Sequence, residues 1–459
     1  MPSQIIEYLT HNRFALETAS AFLGSSYFMI WIYRILFLPV FALSIPYILW
    51  HAKRRGGYRK DLHHKFGKVP RRPSSSKENK RIWIQAVSVG EIKAIKPLIE
   101  ALNEEPNIEL ILTTTTSTGY QIAHETYQGL VYDIYYFPLD FIPFTKKAWR
   151  RIQPDLCLLM EGELWPEHIH QAKQNQVPII VINARLSDKT FRLYQRLGGV
   201  TRHIFQSLDL VLASSKTNSE RFLSLGTHKN KTIPVGNLKC DMPVPDLLAE
   251  REIETLLREL GLPPKSPDNS SIILCGASTW DGEELTLLKM AEQLRNEGLD
   301  LHLIITPRHV ERRKEIESDL KDTSLKLHFR SQGIANNEVQ VAVADTTGEL
   351  IKFIQLADIV FVGRSLKPHT GGQTPIEAGM LGKPVFFGPG MANFRDIAKS
   401  LINSGIATQV RDETELTELV RKLCLDPKRR QDRGRNAKTW LAENQGATQR
   451  TIELLRQWL

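Results

Sequence analysis

The fold is decided by a stretch late in the chain, His369-Thr370-Gly371-Gly372-Gln373-Thr374-Pro375-Ile376-Glu377-Ala378. One apolar run precedes it, Ala357-Asp358-Ile359-Val360-Phe361-Val362-Gly363, and another follows it, Lys383-Pro384-Val385-Phe386-Phe387-Gly388. Short apolar runs on either side of a glycine turn and a helix start are typical of strands joined by a helix. The stretch therefore predicts one parallel βαβ unit.

The same stretch predicts an anion site. A helix that begins at Gly371 and Gly372 leaves backbone N–H groups unpaired and carries partial positive charge at that end, which favours a phosphate. Glu377 follows about one turn later, where its carboxylate can accept hydrogen bonds from ribose hydroxyls. We expect a nucleotide-sugar site here. A glycine-rich corner with a solvated Glu377 is the alternative that these residues leave open.

Length and composition are those of a folded protein with two domains. The chain has 459 residues, 42% of them apolar and 24% charged, which is enough for two α/β cores. The net charge of +9 predicts an anionic partner: nucleic acid, an acidic membrane surface or a phosphorylated substrate. Four cysteines without a CxxC pair or a histidine cluster at zinc spacing predict a reducing compartment and no structural metal.

An apolar segment near the N-terminus predicts a membrane anchor. Residues 26–50 are almost continuously apolar and are interrupted only by Arg34, Pro39 and Pro46. Basic residues follow between 51 and 68, which places that side in the cytoplasm by the positive-inside rule. The segment starts too far into the chain for a signal peptide. We expect an uncleaved anchor that spans the bilayer or lies in its interface, and a buried helix of the first domain is the alternative.

From residue 80 onward, short apolar runs alternate with helical patterns such as residues 91–102, which predicts a parallel sheet covered by helices on both faces. A proline-rich segment, residues 240–271, marks the connection between two halves. A closing helix, residues 437–459, is long enough to cross back to the first half. The predicted strands are 82–87, 108–112, 156–160, 177–182 and 208–213, then 272–275, 301–305, 340–343, 359–362 and 385–387.

Polar residues follow the predicted strands of the first half, at the end where open parallel sheets bind ligands. Ser88 can cap a helix, Gly90 permits close approach of a ligand, and Glu91 can act as a general base toward a hydroxyl. A capping box in which Glu91 serves the helix dipole is the alternative. Glu161 and Glu163 are costly to bury after an apolar strand, so we expect them to face a cleft, with solvated strand-end acids as the alternative.

Basic residues follow the next two predicted strands. Arg185, Lys189 and Lys216 would lie near one rim of the sheet and could contact phosphates. Scattered surface lysines and arginines are the commoner explanation of such residues.

The second half has a comparable series of loops. Ser278 with Asp281 predicts a capping box, whose free N–H groups are another anion site. Arg308 in Pro307-Arg308-His309 could neutralise the phosphate of a leaving nucleotide, because a guanidinium pairs bidentately with phosphate oxygens. Two further loops complete the set, Gly363-Arg364-Ser365-Leu366 and Gly390-Met391-Ala392-Asn393-Phe394.

Six of these segments occur together and in order, and as a set they resemble the 3-deoxy-D-manno-octulosonic acid (Kdo) transferases of lipopolysaccharide synthesis. They are Ser88-Val89-Gly90-Glu91, Glu161-Gly162-Glu163-Leu164-Trp165-Pro166, Asn183-Ala184-Arg185-Leu186-Ser187, Gly236-Asn237-Leu238-Lys239, Pro307-Arg308-His309 and Gly371-Gly372-Gln373-Thr374-Pro375-Ile376-Glu377. The resemblance implies an α/β fold of the GT-B class: two Rossmann-like domains facing a central cleft, plus an N-terminal membrane-anchor helix.

The resemblance also implies a role for each part of the chain. Residues 1–67 would hold the anchor and its basic flank, residues 68–240 the acceptor-binding domain, residues 241–436 the domain that binds the CMP-sugar donor, and residues 437–459 the returning helix. The implied reaction is the inverting transfer of Kdo from CMP-Kdo to a lipid A precursor, lipid IVA, with no metal and no cofactor. The implied location is the bacterial inner membrane, with the catalytic domains on the cytoplasmic side of its inner leaflet.

Site residues follow from the motifs position by position. Glu91 matches the proposed catalytic base. The acceptor-binding residues are Ser88, Gly90, Glu161, Glu163 and Arg185. The donor-binding residues are Lys239, Ser278, Arg308, His309, Gly363, Gly371, Gly372, Gln373, Glu377 and Asn393. This chain departs from the family at Gln85, Gly162 and Thr374, where members often carry His, Thr and Asn.

The expected mechanism is a direct displacement. Glu91 takes the proton of an acceptor hydroxyl, and Arg308, Lys239 and the helix start at Gly371 neutralise the single phosphate of CMP without Mg²⁺. The basic surface would then serve phosphates and an anionic leaflet, since no aromatic–basic interleaving of the nucleic-acid kind occurs. A GT-B transferase that uses a UDP-sugar and a non-catalytic, membrane-anchored anion-binding protein are the alternatives.

Overall fold

The computed structural model describes residues 61–73, 78–265 and 270–459, together with helical positions 30, 31, 33–35, 37, 39, 41, 43 and 46. Most of the predicted anchor and of its basic flank therefore lies outside the described residues. Among those that are described, no helix combines the length and the apolar character that crossing a membrane requires.

The chain forms two compact units. The first comprises the part up to residue 242 together with residues 445–459, and the second comprises residues 243–444. Each unit holds one seven-stranded sheet, and every paired strand in both sheets runs parallel to its neighbours. The predicted α/β class with two Rossmann-like halves is confirmed.

The sheet of the first unit has the strand order β3-β2-β1-β4-β5-β6-β7. Its strands are β1 (Lys80–Gln85), β2 (Ile108–Thr114), β3 (Asp133–Tyr136), β4 (Leu156–Met160), β5 (Ile179–Ala184), β6 (Leu210–Ala213) and β7 (Thr232–Pro234). The order reverses between β1 and β4, where Trp83 lies opposite Cys157. Ligands of open parallel sheets bind at such a switch point, outside the carboxyl ends of the strands.

Helices cover both faces of this sheet. They are α1 (Val89–Ala94), α2 (Lys96–Asn103), α3 (Ser117–Tyr127), α4 (Ile142–Ile152), α5 (Pro166–Gln174), α6 (Asp188–Leu197), α7 (Gly199–Gln206) and α8 (Lys216–Ser224). Short 3₁₀ turns lie at Leu62–Phe66, Lys229–Lys231 and Leu238–Asp241. Because successive side chains of a strand point to opposite faces, Ile82 and Ile84 join one core while Trp83 joins the other.

The single helix predicted for residues 91–102 is in fact two helices, α1 and α2. The break falls at Ile95, which caps α1 and precedes Lys96-Pro97 at the start of α2. Proline has no N–H to donate and is tolerated only in the first turn of a helix, so α2 begins afresh there. The apolar stripe is nevertheless buried as expected, because Ile92, Ile95 and Leu98 are fully inaccessible.

The sheet of the second unit has the order β10-β11-β9-β8-β12-β13-β14 and reverses between β8 and β12. Its strands are β8 (Ile272–Thr279), β9 (Leu301–Pro307), β10 (Leu327–Phe329), β11 (Val341–Val343), β12 (Ile359–Val362), β13 (Val385–Phe387) and β14 (Ala407–Gln409). Its helices are α9 (Glu250–Glu259), α10 (Glu283–Asn296), α11 (Arg313–Asp319), α12 (Leu350–Leu356), α13 (Ile376–Met380), α14 (Arg395–Asn403), α15 (Glu413–Cys424) and α16 (Pro427–Asn444).

The predicted closing helix is also divided. Helix α16 ends at Asn444, and α17 (Ala447–Leu455) begins after Gly446, whose φ of 90° lies in the left-handed region that glycine adopts readily. The carboxylate of Asp241 accepts the backbone N–H groups of Gly446 and Thr448. Helix α17 therefore packs in the first unit, where Ile452 and Leu455 belong to the hydrophobic core.

The described N-terminal helical positions contact the first unit along one side. The Tyr33 hydroxyl donates to Asp140 Oδ2 at 2.6 Å, and the Arg34 guanidinium donates to both carboxylate oxygens of Glu167, at 2.8 and 3.0 Å. Apolar side chains at a four-residue spacing on the same helix are exposed: Trp31 by 57%, Ile35 by 68% and Leu43 by 82%.

Candidate active site

Polar side chains collect at the switch points of both sheets. In the first unit, Glu91 follows β1 and Glu161 follows β4, and these two strands are neighbours. In the second unit, Trp280 follows β8 and Arg364 follows β12, which are also neighbours. We call the first group, Glu91, Glu161, Glu163, Arg185 and Lys239, the acid cluster. We call the second group, Trp280, Glu283, His309, Arg364, Gly371 and Asn393, the loop cluster.

Glu91 is held by the start of its own helix. The Ser88 side chain accepts the backbone N–H of Glu91 at 3.3 Å, and the Glu91 carboxylate accepts the Ser88 hydroxyl at 2.8 Å and the Val87 N–H at 2.9 Å. The capping arrangement considered as the alternative is therefore present, and it fixes the carboxylate at the carboxyl end of β1. A Cβ at Gly90 would meet only Ser88 Oγ, at 3.9 Å, so the helix start leaves space above it.

Glu91 is only 7% exposed. Burial, followed by the negative charge of Glu161, raises the pKa of Glu91 to about 7, against the lowering effect of its hydrogen bonds and of Lys239. A carboxyl group with that pKa is both protonated and ionised in large amounts near neutral pH. This is the condition under which a general base works best.

Glu161 is the counter-charge of two cations. It has a positive φ of 60°, and its carboxylate pairs with Arg185 Nε at 2.7 Å and Lys239 Nζ at 2.9 Å. Burial alone would raise the pKa of Glu161, but the charges of Lys239 and Arg185 lower it to about 2. Glu161 therefore stays ionised and orients its two partners.

Glu163 is half-buried beside the other two acids. Burial, then the charges of Glu91 and Glu161, raise the pKa of Glu163 to about 7. The structure thus brings the predicted acceptor-side residues together, and it gives their carboxyl groups different pKa values. Two of the three carboxyl groups can exchange a proton near neutral pH, and the third is a permanent anion.

Lys239 lies in the first unit, although the motif reading assigned it to the donor site. It sits in the 3₁₀ turn Leu238–Asp241, and its ammonium is engaged by Glu161. Asn183 holds this turn, because its buried side-chain oxygen accepts the Leu238 N–H at 3.1 Å. Sequence reasoning missed this role of Asn183. A polar residue that ends a buried strand was the available signal.

The loop cluster is organised by Glu283, which the sequence analysis did not single out. Glu283 is 2% exposed, and its carboxylate accepts four backbone N–H groups. These belong to Trp280 at 2.9 Å, Arg364 at 2.6 Å, Ser365 at 2.8 Å and Leu366 at 3.0 Å. The loop after β12 is thereby tied to the first turn of α10.

Two predictions about helix starts in this unit are wrong. Ser278 does not cap a helix with Asp281, since it lies within β8 with a φ of 55° and α10 begins only at Glu283, after Gly282 as its N-cap. No helix begins at Gly371 and Gly372 either, because Pro375 is the N-cap of α13. Instead, the Gly372 N–H donates to the Arg364 carbonyl at 2.8 Å. The glycines thus form a loop that closes on Arg364, not a helix terminus that faces a phosphate.

One predicted donor-side residue, His309, lies at the Trp280 ring, together with Arg364 and His369, which the motifs did not assign to the site. The Arg364 guanidinium carbon lies 4.4 Å from the ring centroid, and the rings of His309 and His369 lie 5.0 and 5.8 Å away. A Cβ at Gly371 would come within 3.0 Å of both Arg364 Cζ and Asn393 Nδ2. A side chain at position 371 would push these two side-chain ends apart, so glycine there lets the Arg364 guanidinium and the Asn393 amide lie close to the loop backbone.

The remaining donor-side residues lie at the same end of the sheet. Gly363 is required where β12 meets β8, because a Cβ there would lie 2.4 Å from the Ser278 carbonyl oxygen. Arg308 donates its N–H to the Thr279 carbonyl at 3.0 Å and leaves its side chain exposed. Gln373 is half-buried in the loop, and the Thr374 hydroxyl donates to Glu377 at 2.9 Å. The unit therefore offers basic and amide groups around one edge.

Comparison with known families agrees with this division of the chain. The family model described as 3-deoxy-D-manno-octulosonic-acid transferase (Kdo transferase) matches residues 60–242. The model described as glycosyl transferases group 1 matches residues 285–440. Each match falls within one of the two units.

Whole-chain relatives carry the same name. The 3-deoxy-D-manno-octulosonic acid transferase of Haemophilus influenzae is 33% identical over 82% of this chain and 87% of its own. That of Bordetella pertussis is 31% identical over 90% and 95%. A crystal structure of UDP-GlcNAc 2-epimerase from Neisseria meningitidis shares the fold, with a TM-score of 0.55 and 17% identity over 82% of this chain and all of that one. The chain belongs to the 3-deoxy-D-manno-octulosonic acid transferase family and is a glycosyltransferase with a GT-B-type fold.

Proposed function

We propose that this protein transfers Kdo from CMP-Kdo to a lipid A precursor, lipid IVA, in lipopolysaccharide synthesis, with inversion and without a metal ion. Family membership supports Kdo as the sugar that is transferred. The observation that carries the proposed chemistry is the acid cluster, in which a buried carboxyl group, Glu91, has a pKa of about 7 beside an acid that is held ionised.

In the proposed reaction, the Glu91 carboxylate takes the proton of an acceptor sugar hydroxyl. The hydroxyl oxygen forms a bond to the anomeric carbon of Kdo while the bond from that carbon to the CMP phosphate breaks, and CMP leaves with the bonding electrons. A single displacement of this kind inverts the anomeric centre. Glu161 is unsuited to the role of base because its charge is taken up by Arg185 and Lys239.

Departure of CMP is favoured by positive charge near its phosphate, and the exposed guanidinium of Arg308 can supply that charge. A guanidinium forms two parallel hydrogen bonds to phosphate oxygens, and its charge is independent of pH in the ordinary range. CMP carries one phosphate. We therefore propose that side chains alone stabilise its departure.

We further propose that the protein acts at the cytoplasmic face of the bacterial inner membrane and that its N-terminal helix lies in the membrane interface. The exposed apolar row Trp31, Ile35 and Leu43 is suited to the acyl boundary, while Arg34 on the same helix is paired with Glu167. Phe37 of this helix stacks on Phe141, directly before α4, at 5.7 Å. Helix α4 lines a basic cavity of about 760 Å³, formed by Arg71, Arg72, Pro143, Lys146, Lys147, Arg150, Arg151 and Gln153. Apolar and basic surfaces side by side favour an anionic leaflet.

The reaction is tested with the full chain, lipid IVA and freshly generated CMP-Kdo, with the product identified by mass spectrometry. We expect Kdo addition in the presence of EDTA, and inhibition by CMP at concentrations where UDP has no effect. Dependence on Mg²⁺, or stronger competition by UDP, contradicts the proposal. Flotation with anionic vesicles tests the location: Ile35→Glu with Leu43→Glu should lower vesicle binding while transfer to detergent-dispersed acceptor persists.

A further inference from the structure

Three potential metal ligands lie on one short turn of the first unit, away from the acid cluster. Asp61, His63 and His64 each offer one ligand atom, and these atoms lie within 4.8 Å of one another. They belong to the 3₁₀ turn Leu62–Phe66 and to its N-cap, Asp61. The turn adjoins the edge strand β3, since the His64 ring packs against Tyr135 with 4.9 Å between centroids. Strand β3 is two strands away from β1, which carries Glu91.

One of these three residues has a buried ring nitrogen that makes no hydrogen bond to a described residue. His64 is 6% exposed, and within the described part of the chain its Nδ1 atom is buried and makes no hydrogen bond. Buried polar side-chain atoms in folded proteins nearly always have a partner, so an exception calls for an explanation such as an absent ion. A second buried ring nitrogen without a partner among the described residues, His124 Nε2, lies on the adjacent helix α3.

The surroundings suit an oriented ligand set. The Tyr120 hydroxyl donates to Asp61 Oδ2 at 3.0 Å, which orients the carboxylate in the way that outer-shell donors orient metal ligands. His63 is exposed and Asp61 half-exposed, which leaves the group open to an ion from solvent.

We propose that Asp61, His63 and His64 bind one Zn²⁺ ion that stabilises this turn, with water completing the coordination. Two imidazoles and a carboxylate are the ligands that zinc takes at about 2.0–2.2 Å, whereas Ca²⁺ and Mg²⁺ prefer oxygen alone. In a tetrahedral site the ligand atoms lie roughly 3.4 Å apart, so the group must close slightly, and the exposed His63 side chain is free to rotate. The ion would join the start of the first unit to the edge of its sheet.

This inference departs from the expectation of no structural metal that the sequence patterns gave. An Asp-x-His-His run does not have the paired spacings by which zinc sites are recognised in sequences. What points to a ligand is the buried Nδ1 atom of His64, which makes no hydrogen bond to the residues that the structure describes. Its burial is known only from the fold. The proposed transfer chemistry does not use this ion, so the two proposals stand or fall separately.

The test is direct metal binding by the full chain after treatment with EDTA. Titration with Co²⁺, followed by its visible absorption, should show one saturable site per chain, and Zn²⁺ should displace the Co²⁺. Asp61→Asn and His63→Ala should each weaken binding at least tenfold, while His228→Ala, an exposed histidine elsewhere in the same unit, should leave it unchanged. Zn²⁺ should raise the melting temperature of the wild type and of His228→Ala, and not that of His63→Ala.

Two outcomes overturn the proposal. One is the absence of any saturable site in the wild-type chain. The other is binding that Asp61→Asn and His63→Ala leave as strong as in the wild type. His64 itself is left intact, because a change at a buried residue can unfold the turn. Transfer by the EDTA-treated chain is measured well below its melting temperature, where the metal-free protein is folded, so a loss of activity there counts against the proposed function and not against the metal site.

Discussion

The substitution Glu91→Gln separates the proposed base from a merely structural carboxylate. Glutamine keeps the shape of the side chain and cannot accept a proton. A positioned general base contributes about 10²–10⁴-fold to the rate, or roughly 3–5 kcal/mol of barrier. We therefore expect kcat to fall by that factor, with binding of CMP-Kdo nearly unchanged.

The same substitution should not unfold the protein, and the sign of the pKa shift says why. The pKa of Glu91 is raised from 4.5 to about 7 on folding, so the folded state binds the Glu91 proton more tightly than the unfolded state does. The resulting stabilisation of the fold is complete below about pH 4.5 and is lost as the pH rises through 7. At about pH 8 the buried charge costs up to about 3 kcal/mol, at 1.36 kcal/mol for each pKa unit. Glutamine removes that cost but loses one of the hydrogen bonds from Val87 or Ser88, which offsets part of the gain. Glu91→Gln should thus be at least as stable as the wild type at about pH 8.

The assay is the rate of Kdo transfer as a function of pH, with the melting temperature measured on the same samples. Wild-type kcat/KM should rise about tenfold per pH unit up to about pH 7 and then level off, whereas Glu91→Gln should be slow throughout. Glu163→Gln is the matched control, because Glu163 is a neighbouring acid whose pKa is also raised to about 7. Turnover of Glu91→Gln within tenfold of the wild type would refute the role of Glu91. A collapse of Glu163→Gln alone would transfer that role to Glu163.

Three further substitutions test the groups around the sites. Lys239→Met leaves Glu161 with Arg185 as its remaining ion-pair partner in the cluster, so the pKa of Glu161 should rise. The free energy of unfolding, measured in urea, should fall by about 2 kcal/mol, and this loss should be larger at about pH 8 than at about pH 5. Glu283→Ala leaves four backbone N–H groups without their acceptor, two of them buried, and should destabilise the second unit by about 3–5 kcal/mol. Its control, Glu297→Ala, changes an exposed residue and should alter stability by less than about 1 kcal/mol. Arg308→Ala should leave the melting temperature unchanged and weaken CMP binding at least about tenfold in calorimetry, with the exposed Arg411→Ala as control. Equal CMP affinity in the two arginine variants contradicts the donor role.

The central strands of each sheet could be predicted from the sequence, and the edge strands could not. The ten predicted strands correspond to buried strands, and β4, β12 and β13 have the predicted bounds. The four strands that were missed, β3, β7, β10 and β14, are the edge strands of the two sheets. An edge strand has only one neighbour and is short here, as in Thr232–Pro234 and Ala407–Gln409, so it needs no continuous apolar run.

The candidate site divides in a similar way. Strand-end motifs located Glu91, Glu161 and Gly371, because the end of a buried strand is a position that sequence periodicity can identify. The ion pairs of Glu161 and three of the four N–H contacts of Glu283 join residues 24 to 83 positions apart, which no local pattern encodes. The supposed helix at Gly371 failed because tertiary contacts with Arg364 and Asn393 overrode a glycine-helix pattern that is common elsewhere.

The break at Gly446 bears on how the protein is synthesised. The core of the first unit includes Ala447, Ile452 and Leu455. The ribosome synthesises these residues only after the entire second unit. During translation, the apolar surface of the first unit that residues 445–459 cover stays exposed while about two hundred further residues are synthesised. A nascent chain in this state is a natural client for chaperones, and a fragment that stops at residue 242 lacks the segment that would cover it.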